Sequence, residues 1–278
     1  MILLDGRKIA ENIYQEIKST MKKSRITPGL AAILVGEDSS SKLYVDLKGK
    51  VATNLGFYFK KIHLKKNATP KAVIDAVKRC NTDKKIHGFL VQLPLPPQFK
   101  KDDILQWLDS KKDIDCIGAR QFFAFASGDR TIHPPTAQAV IELLSSIQMS
   151  LSGAYVVVIG DGFFGRQIAF RCLNEDATVL LTNSKTRNLS RFTKQADVVI
   201  TAIGKPGFLT GSMIKKGAVV IDVGITKKGK LILGDVDFVS VAKKACALTP
   251  VPGGVGPLTV ALLMKNTELA ALERKAKL

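Results

Sequence analysis

The sequence is short of the residues that mark specialised chains. It has four cysteines in 278 residues, Cys80, Cys116, Cys172 and Cys246, and no CxxC pair. That spacing disfavours a zinc site or a disulfide scaffold and favours free thiols in a reducing, cytoplasmic setting. No apolar run approaches the ~18 residues of a membrane span. The opening stretch, MILLDGRKIAENIY, has an apolar run broken by Asp5 and does not read as a secretion signal. There is no internal repeat and no low-complexity linker. Acidic residues are scarce: 24 Asp and Glu stand against 42 Lys and Arg, for a formal net charge of +18. The basic residues are scattered, with no arginine-rich tract and no interleaved aromatic platform of the kind nucleic-acid binders use. A lysine-rich surface accounts for the charge most simply. A field that attracts small polyanions comes second, and a nucleic-acid-binding α/β protein third. No metal site, nucleic acid or membrane is expected.

What the chain does have is alternation. Hydrophobic residues make up 46%, enough for a sizeable core. Short β-branched runs at 31–36, 57–64, 88–94, 154–160, 178–183, 197–204 and 218–225 alternate with helical patterns at 7–20, 41–55, 70–80, 136–147, 165–174 and 258–274. Most of the strands are nearly continuous apolar runs, which suits parallel sheets covered on both faces. The expectation is an α/β protein of two domains with a cleft between them. Residues 1–120 form the first domain, with the C-terminal helix 256–278 packing back on it. Residues 121–255 form a Rossmann-like second domain. The division falls near 118–134, GARQFFAFASGDRTIHPP, which shows no clear period.

The second strand series opens on VVVIGDGFFGRQIAFRCL. Gly160, Gly162 and Gly165 form GxGxxG after a buried strand and before a helix. In that setting the motif points to a dinucleotide pyrophosphate at a helix N-terminus; a purely structural turn is the other reading. The following strand ends at Thr182 and Asn183 without the acidic residue that an NAD site places there. Ser184, Lys185 and Arg187 suit a 2′-phosphate, although a plain polar loop competes for each of them.

In the first half, SSSKLYVDLKGKVATNLG (39–56) reads as a helix capped by Ser39 or Ser40 and ended by Gly56. Leu43, Leu47, Val51 and Leu55 form its expected buried stripe, with Tyr44 and Lys48 about 100° round at its edge. Taken alone, a lysine there can simply snorkel to solvent. Gln92 in VQLPLP lies near the carboxyl end of a strand, where α/β proteins place ligands. KDIDCIG carries Asp113 and Asp115, and TPVPGGVGPLTVALLMKNT is a glycine-proline turn feeding a helix.

These segments, with ADVVITAIGKPG, VVIDVGI and GDVDF, resemble in order the bifunctional methylenetetrahydrofolate dehydrogenase/cyclohydrolase family over nearly the whole chain. The resemblance implies a homodimeric, NADP-dependent enzyme of one-carbon metabolism acting on tetrahydrofolate derivatives. It makes Lys48 the catalytic lysine, Tyr44 the ring that packs on the folate, Gln92 the partner of the lysine, and Asp115 the ligand of the pterin edge. Gly253, Gly254 and Pro257 match the turn that lines the folate site, and Ile225 a backbone contact at the nicotinamide end. The cofactor turn departs from the family pattern. GDGFFG is one residue shorter than the usual G-R-S-x-x-V-G, and Asp161 stands where an arginine holds the 2′-phosphate. Asn183 replaces the usual histidine. NADP is expected with a narrowed preference over NAD; the alternative keeps the cyclohydrolase with a weakened or lost dehydrogenase.

Overall fold

The computed structural model describes residues 1–128, 131–229 and 231–276. In chain order the elements are β1 (Ile2–Leu3), α1 (Gly6–Ser24), β2 (Gly29–Val35), α2 (Ser39–Asn54), β3 (Tyr58–Leu64), α3 (Pro70–Thr82), β4 (Gly88–Val91), α4 (Lys101–Leu105), α5 (Ala119–Ala126), α6 (Pro135–Ser145), β5 (Tyr155–Ile159), α7 (Phe163–Leu173), β6 (Thr178–Thr182), α8 (Leu189–Thr193), β7 (Val198–Thr201), β8 (Val219–Asp222), β9 (Thr226–Lys228), β10 (Leu231–Leu233), α9 (Phe238–Ala242), β11 (Ala247–Leu248) and α10 (Val255–Ala276).

The chain forms two compact units, one of Met1–Glu11 with Pro135–Thr259, the other of Asn12–Pro134 with the chain from Val260 onward. The division therefore falls after Pro134 rather than after residue 120, and the first residues join the second domain. The cause is backbone pairing: Ile2 and Leu3 lie parallel to Ala247 and Leu248. The 118–134 segment also has more structure than its sequence suggests, because Ala119–Ala126 is helical and buries Phe125.

The Asn12–Pro134 unit holds a three-stranded parallel sheet in the order β3-β2-β4. All seven residues of the central strand β2 are buried, which explains its unbroken apolar run. The edge strand β3 alternates and carries Lys60 and Lys61, charges that discourage further pairing. Helix α3 starts on Thr69, whose hydroxyl accepts from the Ala72 N–H at 3.2 Å, with Pro70 in its first turn. It buries Val73, Ala76, Val77 and Cys80 at helical spacing.

Helix α2 corrects the sequence reading in two places. Asp38 is its cap, accepting from the Ser41 N–H at 2.7 Å, so neither Ser39 nor Ser40 serves. Its buried face is Ser41, Val45, Gly49 and Ala52; of the expected stripe Leu43 and Leu47 are exposed, Val51 is half-buried, and Leu55, just past the helix, is buried. The small residue decides this. A Cβ at Gly49 would stand 2.4 Å from the ring of Phe59 on β3, so only glycine lets this face lie against the strand. Tyr44 and Lys48 immediately precede Val45 and Gly49, so they still flank the buried face and are half-buried. Gly49→Ala is expected to cost a net ~1–2 kcal/mol, because overpacking outweighs the ~1 kcal/mol gained in helix propensity. Urea unfolding checks this; unchanged or increased stability would show that Phe59 yields freely.

The other unit is built on a six-stranded parallel sheet in the order β1-β11-β8-β7-β5-β6. Val157, Ile159, Val199, Val220 and Leu248 form part of its core. The sheet's strand order turns outward from β5, between β6 and β7, so the carboxyl end of β5 is the switch point where such sheets take ligands. A β9–β10 antiparallel hairpin stands apart from it. Among the described residues no helix is long and apolar enough to cross a membrane.

Candidate active site

In the Asn12–Pro134 unit the side chains of Lys48 and Gln92 meet. The Lys48 ammonium donates to Gln92 Oε1 at 3.1 Å, and Gln92 Nε2 donates to the Leu93 carbonyl at 2.7 Å. Both ends of the amide are committed, so Gln92 offers its oxygen to the lysine in one orientation. Its backbone is equally fixed: the Gln92 N–H extends the β2–β4 ladder to Ile33 O at 2.8 Å.

Asp115 comes to the same place by a braced turn. The Phe89 N–H bonds Lys112 O at 3.0 Å, which docks the segment beside β4. The buried Asp113 carboxylate accepts from the Ile117 and Gly118 N–H groups at 3.2 and 2.7 Å. Burial pushes the Asp113 carboxyl up to about 6, against those donors. Asn266 on α10 adds a bond from its Nδ2 to Ile114 O at 2.8 Å. Asp113 and Asn266 are the residues that sequence reasoning left without roles. Asp113 was visible in KDIDCIG, but its turn-bracing bonds depend on a local fold no pattern declares; Asn266 lies 152 positions from its partner.

The electrostatics of the cluster are coupled. Burial lowers the Lys48 pKa, and the Asp115 charge works in the opposite direction. Burial raises the Asp115 pKa, and Lys48 opposes that in turn. Tyr44, one helical turn from Lys48, has its phenol pKa raised by burial. The arrangement is an amine held by an amide oxygen beside a carboxylate in a poorly solvated spot, a setting in which burial favours the neutral amine.

In the other unit, Gly160 ends β5 with φ +112° and Gly165 lies on α7. A Cβ at Gly165 would fall 1.7 Å from Gly160 O, so helix and turn approach as only glycine permits. A Cβ at Gly162 meets nothing within 4 Å; the space over the turn is free of protein. Ser184, Lys185 and Arg187 are exposed just past β6. Gly253 and Gly254 are buried, and Gly253 O accepts from the Gly6 N–H at 2.9 Å. Pro257 lies in the first turn of α10.

Sequence reasoning also gave no role to two buried carboxylates, Asp222 at the end of β8 and Asp235 just past β10. Asp222 accepts from the N–H groups of Gly224, Asp235 and Val236 at 3.0, 3.0 and 2.9 Å and from the Thr201 hydroxyl at 3.2 Å. Asp235 accepts from the N–H groups of Ile203, Gly204 and Lys205 at 2.8, 3.2 and 2.7 Å. Burial raises the Asp222 carboxyl to about 6. Together they lock the loop after β7 to the loop that presents the exposed Ile225.

Residues 4–115 match the family model for the tetrahydrofolate dehydrogenase/cyclohydrolase catalytic domain, and residues 134–275 match that for its NAD(P)-binding domain. The chain belongs to the tetrahydrofolate dehydrogenase/cyclohydrolase family. It is 41% identical over 274 residues to "Bifunctional protein FolD 2" of Geobacter sulfurreducens, covering 97% of this chain and 96% of that one. The structure is similar to that of the bifunctional FolD methylenetetrahydrofolate dehydrogenase/cyclohydrolase of Campylobacter jejuni, with TM-score 0.95, 39% identity and 99% of each chain covered. It is similar also to the Trypanosoma brucei FolD enzyme complexed with NADP cofactor and inhibitor, with TM-score 0.94, 37% identity and coverage of 100% and 99%. Within the family the two halves of this chain differ in how far they keep the expected pattern. In one, Lys48 and Gln92 meet as the resemblance leads one to expect; in the other, the turn after β5 carries Asp161, whose carboxylate accepts from Asn183 Nδ2 at 3.2 Å.

Proposed function

We propose that the protein oxidises 5,10-methylenetetrahydrofolate to the methenyl cation with NADP, and hydrolyses that cation to 10-formyltetrahydrofolate. The observation that carries the reading is the half-buried Lys48, held by Gln92 and shifted toward its neutral form by burial. NADP, when bound, supplies the hydride acceptor. The residues at the turn fit it: the space over Gly162 is free of protein, the N-terminus of α7 faces it, and exposed cations follow β6.

Hydride transfer asks the protein for placement. Tyr44 and Asp115 supply it at the folate end, the ring as a wall and the carboxylate as an acceptor for the pterin edge. Hydrolysis asks for a base. Water adds its oxygen to the methenyl carbon while neutral Lys48 takes a proton from it. The lysine ammonium so formed returns a proton to the ring nitrogen as the carbon–nitrogen bond breaks, and the hydroxyl on the former methenyl carbon releases its remaining proton to solvent as the formyl C=O forms. Gln92 takes one lysine N–H, which leaves the nitrogen lone pair to point elsewhere. A cationic substrate beside Lys48 lowers its pKa further.

We place the protein in the cytoplasm as a homodimer; the family resemblance and the buried, unbridged Cys80, Cys116 and Cys172 support this. Light scattering on purified protein tests the dimer. The function is tested by one spectrophotometric assay, supplying methylenetetrahydrofolate with NADP or NAD and, separately, methenyltetrahydrofolate. Reduction of NADP together with accelerated decay of the methenyl absorbance is the expected result. Decay without reduction would leave a cyclohydrolase alone, and neither would overturn the reading.

A further inference from the structure

Asp161 is not merely an arginine lost from the turn. It sits between Gly160 and Gly162 at the carboxyl end of β5, yet its carboxylate reaches the neighbouring strand and accepts from Asn183 at the tip of β6. Asn183 is itself clamped. Its Oδ1 accepts from the Lys185 N–H at 2.9 Å, and its own N–H donates to the Thr186 hydroxyl at 3.0 Å. With Oδ1 taken, the amide must turn Nδ2 toward Asp161, so the carboxylate is held at the tip of β6. In dinucleotide folds, the tip of the strand after the glycine turn is where an acidic residue meets the adenosine ribose hydroxyls. This chain has no acidic residue on that strand end. It supplies the carboxylate from the preceding turn and fixes it there with an amide.

We infer that Asp161, braced by Asn183, is a reader of the free 2′-hydroxyl and the residue that sets cofactor choice in this enzyme. The inference rests on the dinucleotide reading of this unit. An acceptor-only group favours the hydroxyl of NAD, a donor, and repels the 2′-phosphate of NADP. Three cations stand on the other side of the balance. Lys185 and Arg187 are exposed past β6, and Arg166 is tied to the turn by its Nε, which donates to Asp161 O at 2.8 Å. The site thus carries elements for both cofactors: NADP is bound through the cations, and NAD is admitted through Asp161.

The probes are adenosine 2′,5′-bisphosphate and adenosine 5′-monophosphate, whose affinities calorimetry reads without any turnover. Asp161→Ala is expected to raise the preference for the bisphosphate by about tenfold or more, and the kcat/KM ratio for NADP over NAD by a similar factor, mostly through KM. Asn183→Ala frees the carboxylate and is expected to move both ratios the same way by less. A thermal unfolding scan on each variant separates these effects from a disturbed fold. Ratios unchanged within about twofold in Asp161→Ala, with both nucleotides still bound, would overturn the inference and leave the dinucleotide reading standing. Failure of the wild-type protein to bind either nucleotide at millimolar concentration would overturn both.

Discussion

Lys48→Met is expected to lower the cyclohydrolase rate by about 10²–10⁴-fold, the range that a positioned general base contributes, and to impair the dehydrogenase far less. Methionine keeps the length and the apolar stem, so the packing beside Val45 and Gly49 is preserved and only the amine is removed. Water addition to the methenyl carbon then loses the amine that takes its proton; the Gln92 amide is not basic, and the Asp115 carboxylate is engaged by the pterin edge. Hydride transfer moves no proton, so its loss is confined to poorer placement of the folate. The measurement is a pair of turnover numbers on one preparation, hydrolysis of methenyltetrahydrofolate and oxidation of methylenetetrahydrofolate. A variant that hydrolyses at the wild-type rate would remove Lys48 from the mechanism, and equal losses in both steps would make it a binding residue.

How far the sequence reveals this site differs from element to element. Strands such as β5 and β7 are legible because burial on both faces of a parallel sheet leaves an unbroken apolar run. The glycine turn is legible because its spacing follows from a strand-to-helix reversal that few other residues permit. Helix α2 is found in the right place with the wrong face. Leu43, Leu47, Val51 and Leu55 satisfy a helical period, but of these four only Leu55 is buried, and the sheet takes the side with Gly49, since contact with Phe59 selects for a missing side chain rather than a large one. Periodicity reports hydrophobicity and is blind to that. The very short β1 and β11 carry no periodic signal, and only pairing makes them strands, β1 with β11 and β11 also with β8. The carboxylate lock of Asp222 and Asp235 is hidden for a related reason: its partners are backbone N–H groups, which every sequence offers everywhere. The Asp161–Asn183 contact joins the ends of two adjacent strands and depends on the β5–β6 register, Ile159 opposite Thr182, which no local motif encodes.

Asp115→Ala is expected to weaken folate binding about 10- to 150-fold, the equivalent of one charge-assisted hydrogen bond worth roughly 1.5–3 kcal/mol. Calorimetric titration with tetrahydrofolate reads this directly, and an unchanged dissociation constant would take Asp115 out of the folate site. The conservative variant Asp115→Asn probes a second consequence. The Asp115 charge raises the Lys48 pKa against the lowering effect of burial. Asparagine removes that charge and keeps the shape, so the lysine loses its proton more readily. Hydrolysis uses the neutral amine, and its rate climbs with pH as Lys48 deprotonates. The acid limb of the kcat–pH profile, taken at saturating folate so that weakened binding does not enter, is therefore expected to move to lower pH in Asp115→Asn. A purely structural Asp115 would change the height of the profile and leave its midpoint in place. A shift to higher pH would mean that the carboxylate does not hold the proton on Lys48, and that another group supplies the base.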